Sequence, residues 1–306
     1  MSVCVFMQIP NMVHIVIQKI LQATGNMIAP MWFQIAGVVF NFVFDPLLIF
    51  GIGPFPKMGV VGAAVATVLG YVVSTIIALI QLFLTKQKVK PVFKNCLEPQ
   101  MIKLIFSYGL PSFVMNALEA FTVNFANMFL VRYSDTAVAF FGAYFKVQQL
   151  IFMTVNGLIQ GCLPIMRFNY RAKEYGRLQQ ANKSGTIIAT VMMIVGMLLV
   201  LIFPKEILFL FSASEEMCAF GVPAMRIMSL GFVFSGFSAM IATYEQATDS
   251  IMPGVVVQLL RQGVLLVPVI WLLNSAVQMT GIWLAFPITE FVTFLVAVVF
   301  AKIKNH

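Results

Sequence analysis

The sequence predicts an all-α, polytopic helical membrane protein, and its composition and the length of its apolar runs are the observations that predict it. The chain of 306 residues is 60% hydrophobic and only 10% charged, whereas a soluble domain carries about 25% charged residues. Its mean hydropathy is +0.95. The apolar runs last about 20 residues without strict alternation, which is typical of transmembrane helices and not of the shorter, alternating strands of a barrel.

Turn signals such as Thr24-Gly25-Asn26 and Gly53-Pro54-Phe55-Pro56 divide the chain into nine predicted spans. The predicted spans are about 1–22, 28–50, 59–84, 104–130, 136–163, 184–204, 220–243, 254–273 and 279–301. The first residues lack the basic region and cleavage site of a signal peptide. The four cysteines occur singly, which predicts neither a disulfide framework nor a zinc site.

The placement of basic residues predicts the orientation in the membrane. Most of the 19 lysines and arginines lie in the loops 85–103 and 165–183 or near the C-terminus, whereas the loop 205–219 is net acidic. Because basic loops stay in the cytoplasm, we expect a cytoplasmic C-terminus and Met1 outside. The net charge of +8 therefore reflects topology, with anionic lipid heads as a weaker alternative and no nucleic acid as a partner.

An internal repeat relates the first three spans to the last three. Gln22-Ala23-Thr24 and Gln34 recur as Gln246-Ala247-Thr248 and Gln258 at one constant spacing, and Gly62 and Ala66 recur as Gly281 and Ala285. Both copies run in the same direction, as in the halves of some transporters; chance similarity is the alternative. Since spans 4–6 have no counterpart, we expect three more helices before Met1 in a protein of twelve spans, of which this chain is a fragment or a late-start gene model.

The candidate cation site lies in the hairpin 41–70. Asp45 is deep inside an apolar segment, where a carboxylate is costly and indicates function. Asn41 is one helical turn before it, and Thr67 on the next span adds a hydroxyl. Na⁺ binding and proton carriage both fit these oxygens. Alternatively, Asp45 braces the kink at Pro46.

Two further spans carry polar stripes, which face a bundle interior or a wet cavity. The stripe on the fourth span consists of Asn116, Glu119, Asn124 and Asn127. The stripe on the fifth span spans an arc of about 80° and consists of Lys146, Gln149, Asn156 and Gln160. We expect Glu119 and Lys146 to pair; hydrogen bonds between helices are the alternative role for the stripes.

For the remaining charged residues in or near the membrane, the sequence indicates a structural role more strongly than a functional one. We expect Arg261 and Glu290 to form a structural ion pair between the last two spans, with a direct role in transport as the alternative. We expect Glu245 and Asp249 to be solvated at the cytoplasmic end of the seventh span. Nucleotide-binding and hydrolase motifs are absent from the sequence, so we expect neither an enzyme nor a cofactor other than H⁺ or Na⁺ as the coupling ion.

Several segments together resemble one family, the multidrug and toxic compound extrusion (MATE) transporters, in its MepA-like bacterial branch. The segments that carry this resemblance are Asn41-Phe-Val-Phe-Asp45-Pro46, Gly59-Val-Val-Gly62-Ala-Ala-Val-Ala-Thr67, Gly109-Leu-Pro111-Ser112, Lys146-Val-Gln-Gln149, Asn169-Tyr170, Arg261-Gln262-Gly263 and Gly281-Ile-Trp-Leu-Ala-Phe-Pro287-Ile-Thr-Glu290. They cover nearly the whole chain.

The resemblance implies twelve helices in two six-helix lobes around a central cavity. Residues 1–99 would be the remainder of the N-terminal lobe, with three spans, and residues 100–306 the C-terminal lobe, with six. It implies a monomer in the bacterial cell membrane that exports small amphipathic or cationic compounds in exchange for H⁺ or Na⁺. The alternatives are a lipid-linked oligosaccharide flippase of the related superfamily and a fragment that does not transport.

The family's site residues carry over in part. In some members an N-lobe cation site uses residues that match Asn41, Asp45 and Thr67, together with an Asp on the first helix. Other members use a Glu that matches Glu119, but their partner Asp would fall near Phe234, where this chain has no acid. Arg167 and Arg171 stand where the family pattern has glycines.

Overall fold

A computed structural model of the chain describes residues 8–24, 26, 28–84, 98–248 and 256–304. The chain divides into two compact units, Met1–Cys96 and Leu97–His306. The first unit contains α1 (Gln8–Ala23), α2 (Ile28–Phe50) and α3 (Val60–Leu84). The second contains α4 (Pro99–Leu130), α5 (Asp135–Arg171), α6 (Tyr175–Ile202), α7 (Pro204–Leu210), α8 (Glu215–Ser229), α9 (Phe232–Ala247), a π turn (Leu260–Val264), α10 (Leu266–Val277) and α11 (Met279–Lys304).

The all-helical class is confirmed, and the chain is a multi-pass membrane protein. Six helical segments among the described residues are long and apolar enough to cross a bilayer: Ile28–Phe50, Val60–Phe83, Asp135–Arg171, Tyr175–Ile202, Glu215–Ala247 and Met279–Phe300. Large apolar side chains on their outer faces, such as Phe42 and Val60, are exposed, as expected where lipid takes the place of water. The count of nine spans and the assignment of the two units to transporter lobes stay predictions.

The prediction of loops at 165–183 and 205–219 is wrong, because most of these residues are helical. The helix α5 continues to Arg171 and α6 begins at Tyr175, while α7 and the start of α8 occupy most of the acidic loop. Apolar composition ends where the membrane ends, but Arg, Gln and Lys are good helix formers and let a helix continue into water. The helix is interrupted between α5 and α6 at Lys173, whose left-handed φ of 60° does not fit an α-helix.

Small residues bring α2 and α3 into close contact. A stripe of Gly62, Ala66, Gly70 and Ser74 repeats every four residues on α3 and therefore forms one face. A Cβ atom on Gly70 would lie 2.9 Å from the Gly37 carbonyl oxygen, and one on Gly62 would collide with the Leu48 carbonyl. The Ser74 hydroxyl donates to the Phe33 carbonyl at 3.0 Å. Such small-residue contacts are a main source of helix association in lipid.

An aromatic cluster holds α5 against α11 in the second unit. Phe140 and Phe141 are buried on α5, and Phe140 packs edge-on against Trp283 with ring centroids 5.3 Å apart. Phe141 packs against Phe286 at 5.7 Å. The next turns of the same two helices carry Tyr144, Gln148 and Glu290. The cluster therefore sets the separation at which these polar side chains face each other.

The hairpins α2–α3 and α10–α11 each contain the same kind of backbone contact, between a glycine of the second helix and a carbonyl of the first. A Cβ atom on Gly281 would collide with the Leu273 carbonyl, as one on Gly62 would with the Leu48 carbonyl. The distance in sequence from Leu48 to Leu273 is one residue longer than the distance from Gln34 to Gln258. The second hairpin therefore has one extra residue between Gln258 and Leu273. The π turn between them supplies this residue, because the Leu265 N–H bonds to the Leu260 carbonyl five positions back, at 3.1 Å.

The contact at Gly62 leads to a stability prediction. We expect Gly62→Ala to lower the free energy of unfolding by about 1–3 kcal/mol, because its Cβ forces α2 and α3 apart. The matched control is Gly157→Ala on α5, where a Cβ would meet no atom within 4 Å; it should be neutral or stabilising by about 0.5–1 kcal/mol. Thermal denaturation in detergent, followed by circular dichroism, measures both. Equal melting temperatures of the two variants would contradict the prediction.

Candidate functional site

The three residues of the candidate cation site lie together at the α2–α3 contact. Asn41 and Asp45 share one face of α2, and Gly70 on α3 lets Asn41 approach, since a Cβ there would be 3.3 Å from the Asn41 Cβ. With its amide oriented to satisfy both atoms, Asn41 donates from Nδ2 to Asp45 Oδ2 at 3.1 Å and accepts at Oδ1 from the Thr67 backbone N–H at 3.0 Å. The Thr67 hydroxyl donates to the Ala63 carbonyl at 2.9 Å.

Several oxygen atoms at this cluster are suited to a hard cation or a proton. Asp45 is half-buried, and Thr67 is exposed. Pro46 lies inside α2 and has no N–H, so the carbonyl of Phe42 lacks its usual helical donor. A carboxylate, a hydroxyl and a free carbonyl are the kinds of ligand that Na⁺ accepts. Asp45 therefore has both the adjacent proline and the polar neighbours on which the two sequence-based alternatives rest.

The polar stripe of α4 is only partly described. The side chains of Asn116 and Glu119 lie outside the described residues, and with them the predicted pair of Glu119 and Lys146. Asn124 is exposed and donates to the Ala120 carbonyl of its own helix at 2.9 Å. The Asn127 Oδ1 atom is buried and has no hydrogen-bond partner among the residues that the structure describes. A role of these residues in binding substrate stays a prediction.

The structure separates the four residues of the predicted α5 stripe. Gln149 and Asn156 line a cavity of about 500 Å³ inside the second unit, which we call the C-unit cavity. Lys146 instead lines another cavity, of about 600 Å³, beside Asp135 and the start of α8. Gln160 lies outside both cavities. A helical projection shows the direction of a side chain but not its position along the helix axis. In a helix as long as α5, residues that share one arc can therefore contact different neighbours.

The C-unit cavity is lined by both apolar and polar side chains. Its apolar and aromatic lining residues are Val123, Phe145, Phe152, Met153, Leu266 and Phe286. Its polar lining residues are Thr122, Gln148, Gln149, Asn156, Gln258, Arg261 and Glu290. The sequence interpretation missed Gln148 and Gln258 as lining residues. The spacing of Tyr144, Gln148 and Phe152 at one residue per turn is the signal that places Gln148 on the buried face.

Arg261 and Glu290 form an ion pair in the wall of this cavity. The Arg261 Nε atom donates to Glu290 Oε1 at 2.7 Å, and the two side chains are 16% and 13% exposed. The guanidinium also lies over the Phe152 ring, 4.9 Å from its centroid. The π turn carries Arg261, and Gly263 in the same turn packs against the Leu118 side chain. The pair thus joins three elements, the π turn, α5 and α11.

One further carboxylate differs from its prediction. Glu245, which we expected to be solvated, is only 2% exposed. It lies near the end of α9, which packs along α6, and its position in the repeat corresponds to that of the buried Leu21. A position near the end of a span does not make a side chain accessible when another helix covers it. Asp249 lies outside the described residues.

Comparisons with known proteins relate the chain to transporters. The MatE family model matches residues 111–272. The multidrug export protein MepA of Staphylococcus aureus is 26% identical over 277 residues, which are 90% of this chain and 60% of the relative. MepA of Staphylococcus saprophyticus is 26% identical over 286 residues, or 92% and 61%. The chain therefore spans about 60% of the length of these curated relatives.

Solved structures share the fold at low sequence identity. An outward-facing multidrug resistance MATE family transporter of the MOP superfamily is similar with a TM-score of 0.84 and 21% identity, over 95% of this chain and 65% of that chain. A point mutant of a MATE protein gives a TM-score of 0.87 at 20% identity, over 99% and 68%. A MOP superfamily transporter from Pyrococcus furiosus, described as having a binding pocket of reverse polarity, gives 0.81 at 21% identity, over 92% and 63%.

The ion pair in the cavity wall gives a second stability prediction. Arg261→Leu leaves the Glu290 carboxylate without its cation, which we expect to cost about 3 kcal/mol of unfolding free energy. The double variant Arg261→Leu/Glu290→Leu should recover most of this loss, because no unpaired charge remains. Thermal melting of both variants and of the exposed control Arg177→Leu measures the effect. A double variant no more stable than Arg261→Leu would contradict the prediction.

Proposed function

The chain belongs to the MatE family, and we propose that it acts in the export of small amphipathic, often cationic molecules, driven by the entry of H⁺ or Na⁺. The family is one of transporters, not enzymes. The observation that carries the proposal is the family match over residues 111–272, together with curated relatives named as multidrug export proteins. Because the chain spans only about 60% of the length of those relatives, their export activity does not by itself carry over, and we propose export for this chain separately.

We place the coupling site at Asp45. When Asp45 is ionised, it accepts from Asn41 Nδ2, and Asn41 Oδ1 accepts from the Thr67 N–H. The Asn41 amide therefore links the Asp45 carboxylate to the backbone of α3, and a proton on Asp45 would remove the acceptor to which Asn41 Nδ2 donates. This support is geometric and does not choose between the two ions, because a Na⁺ ion would use the oxygens of the same residues.

Transport then follows from differential binding. A cation at Asp45 shifts the equilibrium between outward-open and inward-open states, and the substrate binds better to the state that the cation disfavours. Glu119 is a second candidate for the coupling role, by its match to the family pattern.

The first test is ethidium export from bacterial cells that express the chain. We expect Asp45→Asn to lower export about tenfold or more, because the neutral amide cannot exchange a cation. The control Glu206→Gln, which neutralises an exposed acid on α7, should export like the wild type. In liposomes, the rate of export by the wild type should increase with either an imposed pH gradient or an imposed Na⁺ gradient. The rate of export by Asp45→Asn should respond to neither gradient. Undiminished, gradient-dependent export by Asp45→Asn would exclude Asp45 as the coupling site.

The proposal includes an orientation, with the α5–α6 connection in the cytoplasm and the α7–α8 turn outside. We test it in a chain whose native cysteines are replaced by serine. A membrane-impermeant thiol reagent added to intact cells should label Ser212→Cys, in the α7–α8 turn, and should leave Lys173→Cys unlabelled until the cells are opened. The reverse pattern would show that the basic side faces outward.

A further inference from the structure

The end of α5 and the start of α6 carry a dense group of positive charges. Between residues 165 and 183 there are five basic side chains and a single acidic one, Glu174. All five are exposed, and no carboxylate of the residues that the structure describes lies within 4.0 Å of their nitrogen atoms. We call this group the basic rim, and its members are Arg167, Arg171, Lys173, Arg177 and Lys183. Their charges are therefore available to an anion from outside the protein.

Apolar side chains beside the basic rim place it at the edge of the membrane. On α5, Phe168 is 73% and Ile165 is 54% exposed, and lipid accommodates apolar side chains of this kind. An α-helix rises about 1.5 Å per residue, so Arg171 lies only about 4.5 Å beyond Phe168 along the helix axis. The headgroup layer is about 5–8 Å thick on each side of the hydrocarbon. The arginines of α5 therefore lie at the level of the lipid headgroups.

Three tyrosines lie at the same end of these helices. Tyr170 and Tyr175 pack edge to face across the α5–α6 connection, with ring centroids 6.4 Å apart, and Tyr244 lies near the end of α9. The end of α9 adjoins the rim, because Arg167 Nη2 donates to the Gln246 carbonyl at 3.4 Å. Tyrosine is enriched where hydrocarbon meets water, since its ring is apolar and its hydroxyl polar. The tyrosines therefore indicate the same membrane boundary as the exposed apolar side chains do.

The arginines of the rim supply donors that suit a lipid phosphate. A guanidinium group holds five N–H donors in a fixed fork that fits phosphate oxygens bidentately. Arg167 uses one donor for the Gln246 carbonyl, which orients the side chain beside α9 and leaves its other N–H groups for a ligand. Arg171 follows one helical turn later and lies on the same face of α5. Two such forks at headgroup level are therefore suited to one phosphodiester.

We infer that the basic rim binds anionic phospholipid headgroups, with Arg167 and Arg171 at the phosphate and the exposed Phe168 ring among the acyl chains. Clusters of this size next to a membrane helix attract anionic lipid. Nucleic acid or an acidic protein would use the cations but not the apolar side chains beside them. The inference goes beyond the proposed export function and does not depend on it, because it uses neither the coupling site nor the orientation of the chain.

The test is native mass spectrometry of the full chain in detergent, which resolves the protein with and without each bound lipid. The probes are phosphatidylglycerol and phosphatidylcholine with identical acyl chains. We expect phosphatidylglycerol to bind at least about tenfold more tightly, because more than one cation of the rim attracts its negative charge. A tenfold excess of glycerol 3-phosphate should not displace it, since the acyl chains contribute to binding. Equal affinities for the two lipids, or displacement by glycerol 3-phosphate, would overturn the inference.

Substitutions locate the preference at the rim. Arg167→Gln/Arg171→Gln should lower the affinity for phosphatidylglycerol about 25-fold, or about fivefold for each cation. Its affinity for phosphatidylcholine should stay within about twofold, which also reports correct folding. The lysine variant Arg167→Lys/Arg171→Lys keeps the charges and should retain most of the affinity.

The matched control removes the same charge elsewhere. Arg132→Gln/Lys205→Gln neutralises two exposed cations beside the opposite ends of α5 and α6, and should leave the affinity for both lipids within about twofold. An undiminished preference for phosphatidylglycerol in Arg167→Gln/Arg171→Gln, or an equal loss in the control, would overturn the assignment to the rim.

Discussion

The constraint on which this structure depends is that a polar group inside the hydrocarbon must find a partner or reach a wet cavity. Backbone groups meet this condition by forming helices, so the described membrane segments are helical. The polar side chains meet it in two ways. Asn41 and Asp45 satisfy each other and reach the backbone of α3, whereas Arg261 and Glu290 pair beside a cavity of about 500 Å³. Each solution requires a particular distance between two helices.

The two hairpins set these distances by different means, although both contain the same glycine-to-carbonyl contact. In α2–α3 the stripe of small residues continues beyond Gly62, and the helices remain in contact as far as Ser74 and Phe33. In the second hairpin, side chains of Arg261 and Glu290 bridge the π turn and α11 instead. Close contact leaves no room for a large ligand between α2 and α3, but it aligns Asn41 with Thr67. The longer bridge in the second unit holds the walls of the C-unit cavity apart.

Much of this could be predicted from the sequence where the determinant is local. The end of α2 and the start of α3 follow from the glycines and prolines between them, and the contact of Asn41 with Asp45 follows from helical spacing. The ends of α5 and α6 could not be predicted from apolarity, which reports the membrane boundary and not the hydrogen bonding of the backbone. Glu245 was misplaced because its burial depends on the packing of α9 against α6. Gln148 could have been found from its spacing with Tyr144 and Phe152 on α5, whereas Gln258 was missed because its environment depends on how neighbouring helices are rotated, which no single span records.

The π turn shows how one extra residue can be accommodated without loss of packing. An α-helix advances by about 100° per residue, but the bond from the Leu265 N–H to the Leu260 carbonyl closes a wider turn that absorbs the extra residue. The side chains of α10 after the turn therefore keep their packing, as the contact of the Leu273 carbonyl with Gly281 shows. The local effect is confined to the turn itself, which carries Arg261 to Glu290. The second hairpin thus combines an ion pair with the backbone contact that both hairpins contain.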